Sequence, residues 1–250
     1  MKNKYDINWM DNVDSTNDEV RRHISDLDNL SVLSVLSQSA GRGQRGNSWH
    51  SEAGRNLLFS VLLKDPGIQA YDQFVISQMA SLSLVDLLAS HDIQAEIKWP
   101  NDIYVGEKKI CGMLIENTVK GKWITSSIIG IGLNVNQINF DVSLPNPTSM
   151  TACSGQEYDL EDMLKEFMEI FTGYFERFCH ITGGYNRLNK LYHSNLWRLD
   201  VEAEFLDMTH SPARWFRGII RGTDSFGYLT VEKQDGDTST FAFKEISYIL

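Results

Sequence analysis

The sequence has little cysteine, little proline and no long apolar run. Its 250 residues include 3 cysteines and 5 prolines. Cys111, Cys153 and Cys179 are odd in number and widely spaced, which argues against a disulfide framework and against a zinc site built from paired cysteines. The 6 histidines show neither an HExxH pattern nor any other paired spacing. We therefore expect no structural metal site.

Targeting signals and positive charge are also scarce. The first residues, MKNKYDINW, lack the apolar centre of a signal peptide, and there is no uninterrupted apolar run of about 18 residues. We expect a reduced, cytoplasmic protein with no membrane partner. The chain has 23 basic and 33 acidic residues, a formal net charge of -10. This balance repels polyanions, so nucleic acid is not an expected partner.

What remains is an ordinary globular composition with 42% hydrophobic residues and room for one sizeable domain plus a small one. Helical and strand-like runs alternate irregularly up to about residue 196. Beyond it, short β-like runs follow one another closely, which is typical of a small all-β barrel. We predict an α+β domain over residues 1–196 and a small β-barrel domain over 197–250.

One loop stands out, because it joins two apolar strand-like runs, Leu30–Leu36 and Leu57–Leu63, through a segment rich in glycine and arginine. Between Gln38 and Asn56 the chain has four glycines, three arginines and one tryptophan. Glycine lets the backbone approach a ligand closely, and arginine supplies a fixed charge and a planar set of donors for carboxylate or phosphate oxygens. We refer to residues 38–56 as the Gly-Arg loop. Its composition predicts a loop that closes over an anion; a solvated hairpin loop is the alternative.

Polar residues follow the first strand, Ile7–Val13, in the segment DSTNDE. Ser15 with Asp18, and Thr16 with Glu19, have the spacing of a capping box, so a helix is predicted to start here and run to about Asp26. A helix N-terminus is a good place for a polar ligand group. Simple capping is the alternative reading of the same residues.

Two further segments contain candidate ligand-binding groups. Lys98 precedes Trp99-Pro100, and a predicted hairpin turn at Gly106-Glu107 brings Lys109 across from Tyr104 or Val105. The period alone leaves open which lysine points inward. Alternating glycines before an asparagine, GIGLN from position 130, indicate close backbone approach to a neighbour or a ligand.

The candidate groups favour one kind of chemistry over others. No Ser-His-Asp order, no Cys-His pair within a motif and no carboxylate dyad is apparent. Several cations around a closing loop suit a reaction slowed by repulsion between two anions, such as a carboxylate attacking the α-phosphate of ATP.

Five motifs in this order resemble those of biotin–protein ligases. They are DSTN from Asp14, QSAGRGQRGNSW from Gln38, KWPND from Lys98, KICGMLIE from Lys109 and GIGLNVN from Gly130. The resemblance extends over roughly residues 5–140, and the C-terminal β-domain also looks like that of the family. It implies the biotin–lipoate ligase fold, which is similar to class II synthetases: a catalytic domain over residues 1–196 with a mixed or antiparallel sheet flanked by helices, and an SH3-like C-terminal barrel.

The resemblance also implies a two-step reaction. Biotin and ATP, with Mg²⁺, form biotinyl-5′-AMP, and a lysine of a biotin carboxyl carrier domain of a biotin-dependent carboxylase then takes the biotinyl group. The protein would be a monomer or a homodimer. A sister activity, lipoate or octanoate ligation, and a non-catalytic biotin sensor are the alternatives.

Site residues are implied by position within the motifs. The catalytic pair would be Lys109 and Arg42. The biotin-binding residues would be Ser15, Thr16, Asn17, Gln38, Arg42, Gly43, Gln44 and Lys109. The residues binding ATP and the adenylate would be Arg42, Arg45, Trp49, Asn101, Asp102 and Asn134. Mg²⁺ would accompany ATP without a metal site of the protein's own.

Two departures from the family pattern affect these expectations. The fourth position of the loop motif is commonly arginine, but here it is Gln44, with Arg45 next to it, which puts retention of the adenylate in doubt. The motifs also begin within the first 20 residues, leaving no room ahead of them for the DNA-binding domain of repressor-type members. We therefore expect a monofunctional ligase.

Overall fold

The computed structural model describes residues 4–179 and 184–249; the side chain of Arg45 also lies outside the description. The strands are β1 (Asp6–Val13), β2 (Ser31–Gln38), β3 (Leu57–Lys64), β4 (Glu96–Lys98), β5 (Asp102–Val105), β6 (Lys108–Lys120), β7 (Trp123–Leu133), β8 (Glu202–Asp207), β9 (Arg214–Thr223), β10 (Leu229–Lys233), β11 (Thr238–Phe241) and β12 (Ile246–Tyr248). The helices are α1 (Thr16–Arg22), α2 (Phe74–Ser90), α3 (Met150–Ser154), α4 (Leu160–Cys179) and α5 (Gly184–Ser194), and 3-10 turns lie at Gln44–Gly46 and Ala70–Asp72.

Seven strands form the main sheet, in the order β1-β2-β3-β7-β6-β5-β4. Only β1 and β2 are parallel; the other neighbours run antiparallel. Alternate residues of β3 serve opposite faces, because successive side chains of a strand point to opposite sides. Phe59 and Val61 belong to the main hydrophobic core, whereas Leu58 and Leu62 pack on the other face. The predicted mixed sheet is confirmed.

Helices α2 and α4 cover the core face. Phe59 of β3 meets Phe167 of α4 edge to face, with ring centroids 5.1 Å apart. The segment Ala70–Ser90, which contains α2, is long and apolar enough to cross a membrane, and it is the one such helix in the described ranges. Its most apolar window is 67% buried inside the protein, where α2 forms part of the core.

The opposite face of the sheet carries α1 and the Gly-Arg loop. Val20 of α1 packs on Leu33, Leu62 and Ile128. The helix ends at Arg22 rather than near Asp26, because the chain then turns, with the Asp26 N–H donating to His23 O (3.0 Å).

The predicted capping boxes are wrong. Ser15 is at the N-cap but makes no side-chain cap bond. Asp18 pairs with Arg21 at 2.6 Å, and Glu19 pairs with Arg22, so both carboxylates are used by arginines. The start of the helix was therefore predicted at the right place for the wrong reason.

The short β-like runs predicted beyond residue 196 are five strands, and they form one antiparallel sheet in the order β11-β10-β9-β8-β12. Its edge strands, β11 and β12, are not paired with each other within residues 184–249. The expected small barrel is therefore present as an open, SH3-like sheet. The physical reason is the short β12, whose three residues pair only with β8. The domain boundary at residues 196/197 stays a prediction.

Two side chains from outside the C-terminal sheet, Trp99 and His193, form hydrogen bonds with backbone groups of the C-terminal region. Trp99 is buried and its Nε1 donates to Gly227 O (2.8 Å). His193 at the end of α5 accepts the Thr223 backbone N–H of β9 on Nε2 (2.8 Å). Gly222 has φ of 130°, and an added Cβ would lie 2.8 Å from His193 Cε1. The imidazole therefore fits only beside a glycine in a conformation that other residues rarely adopt.

We predict that His193 makes the stability of the protein pH-dependent. Burial lowers the pKa of His193, whereas in the unfolded chain the pKa is about 6.5. The stabilisation is complete above about pH 6.5 and is lost as the pH falls toward the lower folded-state pKa, because the unfolded chain binds the proton first. His193→Gln, whose side-chain carbonyl accepts the Thr223 N–H at any pH, should flatten the profile.

The measurement is the free energy of unfolding in urea between about pH 7.5 and 5 for both proteins. Parallel pH profiles for the wild type and His193→Gln would contradict the assignment.

Candidate active site

The floor of the candidate site is a set of glycines on the face of the sheet that α1 covers. Gly112 of β6 and Gly132 of β7 are direct cross-strand partners. The Trp49 indole lies on both of them. An added Cβ would come 2.4 Å from Trp49 Cε2 at Gly132 and 2.9 Å from Trp49 Cζ3 at Gly112. Any larger residue would push the indole away, so the glycines make the space that the site uses.

A third glycine serves Asn17 in the same way. An added Cβ at Gly130 would lie 2.3 Å from Asn17 Oδ1. The protein uses both amine hydrogens of Asn17: Nδ2 donates to Leu114 O (3.1 Å) and to Glu116 Oε2 (2.7 Å), and Oδ1 lies 2.7 Å from Ser60 Oγ. Asn17 lines the pocket, where Oδ1 keeps one lone pair for a ligand donor, and its implied role in binding biotin stays a prediction.

The start of α1 forms one wall. Ser15 and Thr16 are 3% and 4% exposed. The Thr16 backbone N–H donates to Gln38 Oε1 (2.8 Å), so Gln38, from the end of β2, satisfies one of the free donors of the first helical turn. These groups surround a narrow pocket of about 50 Å³. It is lined by Ser15, Thr16, Asn17, Gln38, Arg42, Gly43, Gln44, Trp49, Asn101, Lys109, Gly112, Met113, Leu114, Gly130, Ile131 and Gly132.

The Gly-Arg loop closes over this pocket through its own backbone. Gly43 N–H donates to Asn47 O (2.6 Å) and Trp49 N–H to Gly41 O (2.9 Å). At Gly41 an added Cβ would lie 2.7 Å from Trp49 O, so glycine is required for this close approach. Backbone hydrogen bonds therefore give the Gly-Arg loop a defined fold beside the pocket, although many of its residues are exposed to solvent.

Arg42 is held by carboxylates at the rim of the pocket. Its guanidinium donates to Asp18 Oδ1 (2.7 Å) and to Glu116 Oε2 (3.2 Å), and Arg21 pairs with the same two carboxylates. Burial alone would raise the pKa of Glu116, but the hydrogen bonds from Asn17 and Arg21 and the charge of Arg42 outweigh it and hold that pKa below its ordinary value. Arg42 is anchored through a charged cluster.

Two polar atoms of the loop are buried without a partner. Gln44 Oε1 and Trp49 Nε1 make no hydrogen bond within the described ranges. A buried polar atom left without a partner costs about 1–3 kcal/mol, so a ligand group that forms a hydrogen bond with either atom would remove that cost. Arg45 contributes its backbone to the 3-10 turn Gln44–Gly46, and its side chain lies outside the described residues.

Lys109 marks the junction of the pocket with a larger cleft of about 660 Å³. Its Nζ lies 2.7 Å from Asp102 Oδ1 and 5.6 Å from the centroid of the Trp49 ring. Tyr104 is its cross-strand partner, as the hairpin predicted. Asn101 and Asn134 also border the cleft, but both side-chain amides donate to backbone carbonyls, of Met113 (2.7 Å) and Thr148 (2.9 Å).

Lys98 lines the same cleft from the side of the C-terminal sheet. Its Nζ donates to Tyr104 Oη (2.8 Å) and lies 4.4, 5.3 and 5.1 Å from the ring centroids of Tyr104, Trp197 and Tyr248. Burial lowers the pKa of Lys98 to about 8. Lys98 and Lys109 therefore both reach one cleft. The alternation of residues along the strands could not show which of the two lysines points inward.

Most of the implied site residues come together around these two cavities. Twelve of the thirteen line the pocket, the cleft or both; the thirteenth is Arg45, whose side chain lies outside the described residues. Sequence reasoning missed Ser60, Glu116 as an acceptor and Asp18 as a partner of Arg42. Ser60 had a signal, because it is the one polar residue within the apolar run Leu57–Leu63. Pairing of Glu116 with residues about 75–100 positions away has no local signal.

The donor set does not form a metal cage. No group of three or more His, Cys, Asp or Glu side chains that could hold a metal ion occurs in residues 4–179 and 184–249. Asp102, the carboxylate on the wall of the cleft, is paired with Lys109. Mg²⁺ usually binds through one or two carboxylates together with substrate phosphates, and Asp102 fits only that limited role.

Comparison with known proteins identifies a family and several relatives that this chain resembles. Residues 9–134 match the model of the Biotin/lipoate A/B protein ligase family. The bifunctional ligase/repressor BirA of Bacillus spizizenii is 31% identical over 207 residues, 80% of this chain and 60% of that protein. A biotin–[acetyl-CoA-carboxylase] ligase of Paracoccus denitrificans is 30% identical over 171 residues, 66% of this chain and 69% of that protein. The chain thus spans about 60% of the length of BirA.

Solved structures agree on the fold. The biotin protein ligase from Aquifex aeolicus in complex with biotin and ATP superposes with a TM-score of 0.81 and 23% identity, covering 97% of both chains. A biotin protein ligase from Leishmania major in complex with biotin has a TM-score of 0.63 and 19% identity, over 96% of this chain and 99% of that one.

We predict that Gly132→Ala opens the Gly-Arg loop. The added methyl group would meet the Trp49 indole, and overpacking of this kind typically costs about 1–3 kcal/mol, so trypsin cleavage after Arg42 should become about tenfold faster. Gly173→Ala is the matched control, because an added Cβ there meets no atom within 4 Å. Equal cleavage rates for both variants would show that Trp49 does not hold the loop on the glycines.

Proposed function

Because the chain belongs to the biotin/lipoate A/B protein ligase family, we propose that it activates biotin with ATP and transfers the biotinyl group to a carrier protein. The activity, its substrates and its partner are our proposal. The carrier would be the biotin carboxyl carrier domain of a biotin-dependent carboxylase, in keeping with the name of the Paracoccus denitrificans relative.

One observation supports this proposal most strongly. The pocket and the cleft share a border formed by the same residues: Gly43, Gln44, Trp49, Asn101 and Lys109. A substrate with a small polar head in the pocket would therefore present its other end at Lys109, beside a cleft large enough for a nucleotide. An acyl-adenylate is a molecule of this shape, with an acid at one end and a nucleotide at the other.

The first step would join the two substrates at that border. A biotin carboxylate oxygen attacks the α-phosphorus of ATP, the bond from that phosphorus to the bridging oxygen breaks, and pyrophosphate leaves. Both reactants are anions, so the cations Lys109 and Arg42 would reduce their repulsion and stabilise the charge that builds up on phosphorus. Each cation would exchange its present carboxylate partners, Asp102 for Lys109 and Asp18 with Glu116 for Arg42, for substrate oxygens.

The second step would release AMP. The neutral ε-amine of the carrier lysine attacks the acyl carbon of biotinyl-5′-AMP, an amide bond forms, AMP departs and the amine loses a proton. The Gly-Arg loop would keep water from the mixed anhydride until the carrier arrives. Mg²⁺ would accompany ATP, bound mainly by phosphate oxygens with Asp102 as the available carboxylate, and would supply further charge neutralisation.

The finer expectations remain proposals as well. The three free cysteines fit a reducing cytoplasm, the acidic net charge disfavours nucleic acid as a partner, and the protein would act as a monomer or a homodimer. We keep the domain boundary at residues 196/197, in the connection between α5 and β8.

The sister activity is less well supported by the lining of the pocket. Lipoate ends in a dithiolane ring that has no strong hydrogen-bonding groups, whereas a ureido ring has N–H donors and a carbonyl acceptor. Thr16 and Gln38 would serve such a ring, and they would be left unpaired by a dithiolane, which costs binding energy. A non-catalytic sensor is the second alternative, because Gln44 replaces a cation of the family pattern.

The experiment that tests the proposal is transfer to a purified biotin carboxyl carrier domain. With ATP, Mg²⁺ and biotin, mass spectrometry should show one biotinyl group on the carrier, and a carrier with its target lysine replaced by arginine should stay unmodified. Modification only with lipoate or octanoate would assign the protein to the sister activity. Tight biotin binding with no modification of any carrier would support the sensor.

We also predict that Arg42→Ala and Lys109→Gln each slow formation of biotinyl-5′-AMP by about 10²–10³-fold, since each removes a group that stabilises the transition state. The measurement is single-turnover adenylate synthesis. Arg217→Ala and Lys165→Ala are controls that remove exposed cations of the C-terminal sheet and of α4. Rates within a few-fold of wild type for both site variants would refute the role of these cations.

A further inference from the structure

A buried serine connects two residues of the candidate site. Ser60, in the middle of β3, is 0% exposed and lies outside the pocket lining. Its Oγ lies 2.7 Å from Thr16 Oγ1 and 2.7 Å from Asn17 Oδ1. Ser60 is therefore the link between the first two residues of α1 on one side and the sheet on the other.

The direction of each hydrogen bond in this network of Thr16, Ser60 and Asn17 follows from counting the available protons. Asn17 Nδ2 points at two acceptors, Leu114 O and Glu116 Oε2, so the other atom of its amide is the oxygen, which can only accept. The single hydroxyl proton of Ser60 must then go to Asn17 Oδ1. Ser60 has no second proton for Thr16, and the contact between the two hydroxyls therefore needs the proton of Thr16.

We propose that Ser60 is a positioning residue that makes Thr16 an obligate hydrogen-bond acceptor toward the ligand. The Thr16 proton is committed to Ser60, so only oxygen lone pairs of Thr16 can face the pocket. A ligand group at this position must be a donor. Glu116 completes this hydrogen-bond network, because it holds the Asn17 amide in the only orientation whose oxygen can accept the proton of Ser60.

The side chain of Gln38, beside Thr16, offers the ligand a hydrogen-bond donor instead of an acceptor. Gln38 Oε1 accepts the Thr16 backbone N–H, which leaves the NH₂ group as the donor side of that amide. The site therefore presents an acceptor from Thr16 next to a donor from Gln38. A cyclic urea or amide, with an N–H beside a C=O, matches this order, and a ring ester or a dithiolane does not. This inference rests on the proposed function and specifies how it recognises its acid.

The test compares biotin with its two cyclic carbamate analogues, in which a ring oxygen replaces one or the other ureido N–H. Calorimetry gives the affinity of the protein for biotin and for each carbamate. The carbamate that places its ring oxygen against Thr16 is the one that wild type binds more weakly. The measured quantity is the ratio of the affinity for biotin to the affinity for that carbamate. In Ser60→Ala the Thr16 proton is free to turn toward that oxygen, so the ratio should fall about tenfold. A loss of packing alone would weaken both ligands by the same factor.

Ser34→Ala is the matched control. Ser34 is also 0% exposed, on the adjacent strand β2, and its Oγ donates to Leu58 O (3.3 Å); its removal should leave the ratio unchanged. Thr16→Val offers an independent route if Ser60→Ala folds poorly, since it removes the acceptor and should also lower the ratio. In the Thr16→Val background, Ser60→Ala should change the ratio no further.

Two results would overturn the inference: an unchanged ratio in Ser60→Ala, or a further change of the ratio in the double variant. A wild-type protein that binds neither biotin nor the carbamates would be a different failure, of the proposed function itself.

Discussion

The site depends on the absence of side chains at Gly112, Gly130 and Gly132, on one face of the main sheet. These positions let the Trp49 indole and the Asn17 amide lie directly on the backbone of β6 and β7, at distances that a Cβ would forbid. The rest of the site is arranged on that floor. The start of α1, the end of β2 and the Gly-Arg loop each place their polar groups relative to it. The opposite face of the same strands is filled with apolar side chains, which keep the floor rigid.

Electrostatic balance is the second constraint. The protein is acidic overall, yet the two cations of the proposed catalytic pair each lie against carboxylates: Lys109 with Asp102, and Arg42 with Asp18 and Glu116. Such pairs keep the charges in place without a ligand. The proposed substrates carry the same kind of oxygen as these carboxylates, so binding replaces one set of partners with another. That exchange avoids exposing an uncompensated charge in a partly buried site.

The sequence was a good guide wherever the signal was local. The strands beside the Gly-Arg loop, the hairpin before Lys109 and the five C-terminal strands follow from alternation and turn residues. The short α3 was missed, although Ser149 caps it and Gly155 ends it in a left-handed conformation. Contacts between residues far apart in the sequence have no local sequence signal. These include the engagement of Asn17 by Ser60 and Glu116, and the open edge between β11 and β12.

Formation of an adenylate from biotin is the step that we propose for this site. The most direct measurement is exchange of labelled pyrophosphate into ATP, with biotin, lipoate and octanoate in parallel reactions, because exchange reports the first step without a carrier protein. We expect exchange that depends on biotin and is absent with the other two acids. Exchange with lipoate or octanoate alone, or no exchange despite measurable binding of biotin, would contradict it.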